Sequence, residues 1–227
     1  CGRRRKMRIV GLIPARLGTD KVPFQNIKDL GGIPLVNYTV RTMNKVRLLD
    51  DIVVFSSEPS ICDYIYQGLR YKYLERPAYL NASETKVHDI IKEFLKNDDA
   101  DIIVLWHIIS PFLTPSTINE CIEQVKSGKY NSAFTAIEIK KFCWFNGKPL
   151  NYSLSQPTPR TQDILPLIVE QGHLYVFRRE VFEKTKQRID QNPYIKIIDH
   201  FEAHEISSLE DFRIADLIVN TGFFDLD

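Results

Sequence analysis

Short apolar runs rich in β-branched residues recur along the chain, separated by segments whose apolar positions fall at helical spacing. Arg8-Ile9-Val10-Gly11-Leu12-Ile13 shows no polar alternation, which predicts a strand buried on both faces, as in a parallel sheet. Asp51 to Phe55 and Asp101 to Trp106 repeat the pattern, and Lys72 to Leu74, Ser132 to Ile139, Gly172 to Phe177 and Ile195 to Ile198 predict further strands. Leu35, Tyr38, Thr39, Thr42 and Met43 set a helix over Pro34 to Val46, with Pro34 suited to its first turn. Helices are also predicted over Pro59 to Leu69, over Thr85 to Leu95 through Val87, Ile90, Ile91 and Phe94, and over Leu209 to Val219. One more is predicted over Pro115 to Val125 behind a Thr114 cap. Strand alternating with helix predicts an α/β domain with a mostly parallel sheet wrapped by helices. From Lys141 to Pro166 the pattern breaks into prolines, polar residues and aromatics, which reads as an excursion from the sheet.

Composition narrows the picture. A chain of 227 residues with 44% hydrophobic content suits one sizeable core. The 30 basic and 29 acidic residues leave a net charge of +1, which removes any chain-wide argument for nucleic acid or an anionic membrane. Cys1, Cys62, Cys121 and Cys143 form no Cys-x-x-Cys pair, so neither a zinc knuckle nor a disulfide framework is expected. No apolar run reaches the length of a membrane span, and Pro14 and Arg16 interrupt the first candidate. A cytoplasmic location is the expectation. Residues 1–6 precede Met7 and read as an expression remnant or disordered tail, leaving 7–227 as the domain.

The segment carrying the most chemistry is Ile13-Pro14-Ala15-Arg16-Leu17-Gly18-Thr19-Asp20-Lys21-Val22-Pro23-Phe24-Gln25-Asn26. It follows the first strand, where ligands of open α/β sheets bind. A loop there can aim backbone N–H groups at phosphates while Arg16 and Lys21 supply charge and Gly18 permits close approach. On spacing alone, a surface turn with two solvated cations is an equal reading.

This segment resembles the Pro-Ala-Arg-x-Gly-Ser/Thr signature of the cytidylyltransferases that make CMP-sugars, the acylneuraminate cytidylyltransferase family. Later blocks match in order: Gly32-Ile33-Pro34-Leu35-Val36, Glu75-Arg76-Pro77-Ala78-Tyr79-Leu80, Ser110-Pro111-Phe112-Leu113, Arg160-Thr161-Gln162-Asp163, Gly172-His173-Leu174-Tyr175-Val176-Phe177 and Ser208-Leu209-Glu210-Asp211-Phe212. The resemblance implies a Rossmann-like nucleotidyltransferase fold, with residues 141–166 as a dimerisation excursion reaching toward the partner's active site. It further implies transfer of CMP from CTP to an acidic sugar, a nonulosonic or related 3-deoxy sugar acid, with pyrophosphate released, Mg2+ as cofactor and a homodimer as the working form.

By the same resemblance Arg16 and Lys21 hold phosphates, with Gln25 beside them, and Leu17, Gly18 and Thr19 cradle the triphosphate. Asn26, Arg76 and Ser83 hold the nucleotide. Arg160 is the candidate cation for the sugar carboxylate, since guanidinium pairs with carboxylate through two hydrogen bonds. Gln162 and His107 complete the substrate side, and Glu205 and Ser207 stand where the family places its magnesium ligands.

Three positions depart from the family pattern. Gln25 replaces a lysine, His107 replaces a glutamine, and Glu205-Ile206-Ser207 replaces an Asp-x-Asp pair. These keep two alternatives open: a divergent nucleotidyltransferase for another sugar or polyol, and a catalytically silent nucleotide-binding subunit. His200, Glu202 and His204 do not follow the helical His-Glu-x-x-His order of a zinc protease, so no zinc site is expected. Trp106, Trp144 and Phe145 are expected in packing or dimer contacts rather than as stacking platforms.

Overall fold

The computed structural model describes residues 6–17 and 22–224. In chain order the elements are β1 (Ile9–Pro14), a ribbon of β2 (Asp29–Leu30) and β3 (Ile33–Pro34), α1 (Val36–Lys45), β4 (Asp51–Ser56), β5 (Lys72–Glu75), α2 (Val87–Asn97), β6 (Ile102–Trp106), α3 (Pro115–Lys126) and β7 (Ser132–Ile139). A small hairpin of β8 (Trp144–Phe145) and β9 (Lys148–Pro149) follows, then β10 (Leu167–Arg178), α4 (Arg179–Thr185), β11 (Tyr194–Ile197) and α5 (Leu209–Asn220). Seven strands form one sheet in the order β11-β7-β10-β6-β1-β4-β5. All its pairings are parallel except those of β10, which runs antiparallel to both β6 and β7.

The two-sided burial read from the sequence has a direct structural cause, because successive side chains point to opposite faces. Ile9 and Ile13 enter one core with Tyr38 and Met43 of α1, Ile118 and Ile122 of α3, and Phe212 of α5. Val10 and Leu12 enter the other with Ile91 and Phe94 of α2 and Phe182 of α4. Strand β6 divides likewise, Ile102, Val104 and Trp106 facing the first core and Ile103 and Leu105 the second. At the edge where the parallel strands begin, Arg8 donates to Asp98, Asp99 and Asp51 at 2.5 to 2.8 Å, tying three strand-flanking segments together.

Two helices differ from expectation. Pro34 lies in the ribbon, paired with Asp29, and the Leu35 N–H donates to the Lys28 carbonyl at 3.0 Å, so α1 begins only at Val36. Between Pro59 and Leu69 only a 3-10 turn forms, Pro59–Tyr64. The buried Asn37 side chain explains the stop: it donates to the Tyr64 carbonyl at 2.9 Å and accepts from the Tyr66 N–H at 2.8 Å, using the backbone groups a longer helix would need. The expected Thr114 cap is present, its hydroxyl accepting from the Thr117 N–H. Helix α4 was not foreseen. Lys6, counted with the tail, pairs with Asp50 at 2.7 Å, while residues 1–5 lie outside the described residues.

The ribbon turn explains how the chain returns from the first loop to α1. Gly31 and Gly32 adopt φ of 57° and 79°, the left-handed pair that a two-residue hairpin requires. A Cβ added at Gly31 would lie 2.3 Å from Val219 Cγ1 of α5, whereas one at Gly32 would meet nothing within 4 Å. Gly31→Ala is expected to lower unfolding stability in urea by roughly 1–3 kcal/mol, combining overpacking with left-handed strain. Gly32→Ala should cost less, and Val219→Ala should recover part of the Gly31→Ala loss. Equal losses for the two glycine variants would remove the contact with α5 as the cause.

Candidate active site

Strand β1 lies inside the sheet between β6 and β4, and the chain builds β4 and β5 on one side of it before crossing to β6 on the other. The loops leaving β1 and β6 therefore diverge, which opens a crevice at the carboxyl ends of these neighbours. A cleft of ≈ 260 Å³ lies there, lined among others by Ala15, Arg16, Asn26, Arg76, Ser83 and His107. Five residues expected at a site from scattered parts of the sequence thus share one wall. Pro14 and Ile90 also line it, which places it on the face covered by α2.

One corner of the cleft holds two guanidinium groups. Arg16 Nη1 donates to the Asn81 carbonyl at 3.1 Å and Arg76 Nη2 to Asn81 Oδ1 at 2.7 Å. Asn81 Nδ2 in turn donates to Ser57 Oγ and to Glu58 Oε1, at 2.7 and 3.1 Å. Arg76 is 3% exposed, its Nε has no hydrogen-bond partner, and burial, partly offset by Glu58 and reinforced by Arg16, lowers its pKa. Among the described residues neither arginine forms an ion pair with a carboxylate. Buried positive charge of this kind is costly unless an anion or a lone-pair donor meets it. Glu58 and Asn81 were missed in the sequence reading: neither belongs to a motif, and their part emerges only when β4 and β5 bring their following loops together.

The loop after β1 is held from within. Asn26 Nδ2 donates to the Arg16 carbonyl at 2.7 Å, and the Leu17 N–H reaches Glu58 Oε2 at 3.4 Å. Gly18, Thr19 and Lys21 lie outside the described residues. Gln25, expected beside the phosphates, is instead 3% exposed and donates through Nε2 to the Ile206 carbonyl at 2.7 Å. The Ile206 N–H bonds to the carbonyl of Ile109, a residue of the cleft wall. A single residue, Ile206, therefore fastens the bend bearing Glu205 and Ser207 to the loops of β1 and β6. Ser207 Oγ donates to Asp211 Oδ2 at 3.0 Å, and Asp211 is held below the usual carboxylate range mainly by the hydrogen bond from Ser208. Among the described residues no three carboxylate, imidazole or thiol groups converge as a metal cage.

Arg160 and Gln162 are not brought to this cleft within the chain. Arg160 is largely exposed on the excursion and pairs with Asp163 at 2.7 Å. Trp144 and Phe145 lie exposed in the β8–β9 hairpin, whereas Trp106 is buried and donates to Ser110 Oγ at 2.8 Å.

His107 directly follows β6, and its N–H donates to the His173 carbonyl of β10 at 2.9 Å. His173 is fully buried with neither ring nitrogen hydrogen-bonded. Burial pushes both imidazoles down to about 4, aided by Arg188 at His107 and by His107 at His173. At neutral pH both are uncharged, so the cleft wall offers His107 as a neutral hydrogen-bonding group.

A family model described as Cytidylyltransferase matches residues 10–205. N-acylneuraminate cytidylyltransferase of Oncorhynchus mykiss is 25% identical over 231 residues, 98% of this chain and 53% of that protein. CMP-N,N'-diacetyllegionaminic acid synthase of Legionella pneumophila is 26% identical over 192 residues, 82% of each chain. The chain thus spans about half the length of the acylneuraminate relative. Among solved structures, CMP:2-keto-3-deoxy-manno-octonic acid synthetase complexed with CTP superposes with a TM-score of 0.70 at 15% identity, covering 95% of this chain and 99% of that one. A 4-diphosphocytidyl-2C-methyl-D-erythritol synthase from Anaerococcus prevotii gives a TM-score of 0.66 at 16% identity, covering 94% and 99%. These structures share the fold, a mostly parallel sheet flanked by helices.

The histidine pair makes a pH prediction. Its folded pKa values lie below the unfolded value of about 6.5, so the unfolded chain takes up protons that the folded chain refuses. The pair's contribution is complete above about pH 6.5 and is lost as pH falls toward 4. For His173 the loss by pH 4 is on the order of 3 kcal/mol, because its shift spans more than two pKa units and one unit corresponds to ~1.4 kcal/mol. Urea unfolding between pH 7 and pH 4 (roughly the span of these pKa values) should show a shallower decline for His173→Leu than for the unsubstituted chain. Parallel declines would show that His173 is not a buried neutral base.

Proposed function

The chain belongs to the cytidylyltransferase family, and on that premise we propose that it transfers CMP from CTP to an acidic sugar, a nonulosonic or related 3-deoxy sugar acid, releasing pyrophosphate. The observation carrying this reading is the corner where Arg16 and Arg76 share Asn81, at the divergence of β1 and β6. In the reaction a sugar hydroxyl attacks the α-phosphorus of CTP and gives up its proton to solvent, the bond to the bridging oxygen breaks, and pyrophosphate departs with the electron pair. Such a displacement is accelerated mainly by in-line positioning and by fixed positive charge on the phosphates.

Arg16 neutralises charge that develops on the departing phosphates, held in place by the Asn81 carbonyl. Arg76 and Ser83 hold the cytidine: cytosine offers a carbonyl and a ring nitrogen as acceptors, and a guanidinium can donate to them. Asn26 steadies the loop after β1, since its amide donates to the Arg16 carbonyl. His107, uncharged, faces the acceptor side, and the family's excursion with Arg160 and Gln162 would serve the site of a second copy in a homodimer.

Glu205 and Ser207 would offer hard oxygens to a magnesium ion that arrives largely coordinated by phosphate and water, because Mg2+ keeps several waters and needs only one or two protein carboxylates. Bound there, the ion would neutralise triphosphate charge. Gln25 contributes to that arrangement from a distance, through its bond to Ile206 between the two residues.

The test is pyrophosphate release with CTP, UTP, ATP and GTP against sugar acids, sugar phosphates and a polyol phosphate. Release with CTP and a sugar acid alone is the expected result; release only with the polyol phosphate would move the substrate class, and no release with any pair would favour a silent subunit. Arg16→Ala is expected to lower kcat by at least about 100-fold, the scale of one lost transition-state donor, with circular dichroism unchanged. Near-normal CTP turnover in a folded Arg16→Ala sample would refute the phosphate role. Glu205→Gln should raise the magnesium concentration needed for half-maximal turnover and weaken Mg2+-dependent CTP binding in calorimetry, and an unchanged metal dependence would remove Glu205 from the metal.

A further inference from the structure

A second cavity, of ≈ 460 Å³, opens beside the cleft between the start of α2 and the chain leaving α4. Its polar walls are Lys86 and His88 on one side and Lys186, Gln187 and Arg188 on the other, and no aspartate or glutamate lines it. His88 has Asp89 at 3.3 Å. Among the described residues, Lys86, Lys186 and Arg188 form no ion pair with a carboxylate.

The local fold sets Arg188 in place. Lys186 ends α4 in the left-handed conformation, with φ of 58°, turning the next residues back across the sheet. The Arg188 guanidinium then lies over the Tyr175 ring of β10, 3.6 Å from its centre. Tyr175 is itself anchored by a hydrogen bond from its hydroxyl to Glu170. A guanidinium held over a ring face is still able to donate hydrogen bonds from its edge to a carboxylate.

The cavity and the cleft adjoin. Thr85 lines the cleft and Lys86 the cavity, while His107 in the cleft wall is close enough to Arg188 to feel its charge. The order of the strands gives the direction. Arg16 follows β1, whereas Arg188 sits over β10, with β6 between them. In an in-line displacement the entering hydroxyl and the leaving pyrophosphate occupy opposite sides of the phosphorus. An anionic group bound over β10 is therefore on the acceptor side when the pyrophosphate is held on the β1 side. The volume falls within the roughly 300–1,000 Å³ typical of small-ligand pockets, enough for one sugar ring and its substituents.

We infer that this cavity is the acceptor subsite, in which Arg188, with Lys86 and Lys186, binds the carboxylate of the sugar acid from within the same chain. The inference rests on the cytidylyl-transfer reading, and it assigns the carboxylate to residues outside every motif matched in the sequence. A carboxylate on the stacked guanidinium would place the rest of the acceptor toward His107 and the cleft.

Steady-state kinetics with N-acetylneuraminate and 3-deoxy-manno-octulosonate as probes, together with calorimetric CTP titration, test it on the full chain. Arg188→Gln is expected to raise the KM for the accepted sugar acid at least about tenfold, the equivalent of ~1.4 kcal/mol, while the Kd for CTP stays within about twofold. Arg188→Lys should fall between, keeping the charge and losing the fork. Lys86→Gln, on a separate exposed element, should raise the same KM and serves as the independent variant if Arg188→Gln loses its fold. Unchanged KM in Arg188→Gln and Lys86→Gln overturns the inference and leaves the cytidylyl-transfer reading intact. So does an equal loss of CTP affinity, which would make the cavity a phosphate site, or a KM loss confined to Arg160→Ala, which would place the carboxylate on the excursion. Absence of turnover by the unsubstituted chain with every sugar acid refutes the reading and the inference together.

Discussion

Two like charges brought into one corner set the terms for the rest of the site. Arg16 and Arg76 repel each other, and Arg76 is nearly out of contact with water. What keeps them together is a single asparagine that accepts from one through its carbonyl and from the other through its amide oxygen, with Glu58 as nearby counter-charge. Removing such a holder would leave a buried cation insufficiently compensated, a more costly state than losing one neutral hydrogen bond. The arrangement is preorganised for an anion because the cost of assembling the charges is met during folding. A ligand then gains the interaction without having to gather the groups.

The same logic explains the rigidity around Ile206. Its N–H and its carbonyl each hold a different loop, one from β6 and one from β1 through Gln25. Gln25 suits this place because a neutral amide can be buried against a carbonyl, whereas an ammonium there would carry a large desolvation cost. The amide is a mechanical link between the loop after β1 and the bend bearing Glu205 and Ser207.

The strands were legible in the sequence because two-sided burial leaves a continuous apolar run that few other structures produce, as in Ile9 to Ile13 and Ile102 to Trp106. The helix expected over Pro59 to Leu69 failed because its stop signal is not local; the Asn37 amide comes from α1, more than twenty residues earlier. Arg16, Asn26, Arg76 and His107 could be singled out because each stands in a motif or beside a strand end, Ser83 through the family resemblance alone, and all five line one cleft. Asn81, Glu58 and Arg188 could not. Each takes its place only through the crossing of segments distant in sequence, and an arginine after a short, unforeseen helix looks like any solvated cation. Gln25 lies buried in its loop, a depth that spacing along the chain does not reveal.

Strand β10 runs against its neighbours, and this has a consequence for how the protein tolerates change. Because β7 and β10 pair antiparallel from Ile139 with Leu167 onward, residues 140–166 form the tip of one long hairpin rather than a crossover. Both ends of that segment are anchored side by side, so lengthening or shortening it alters chiefly the entropy of closing a loop, which rises by only about 0.6 kcal/mol for each doubling in length. The sheet order and the two cores are defined without it. Variation can therefore accumulate there at little thermodynamic expense, and the hairpin tip is where a grafted peptide or a fluorescent label could be inserted while the β1–β6 crevice keeps its shape.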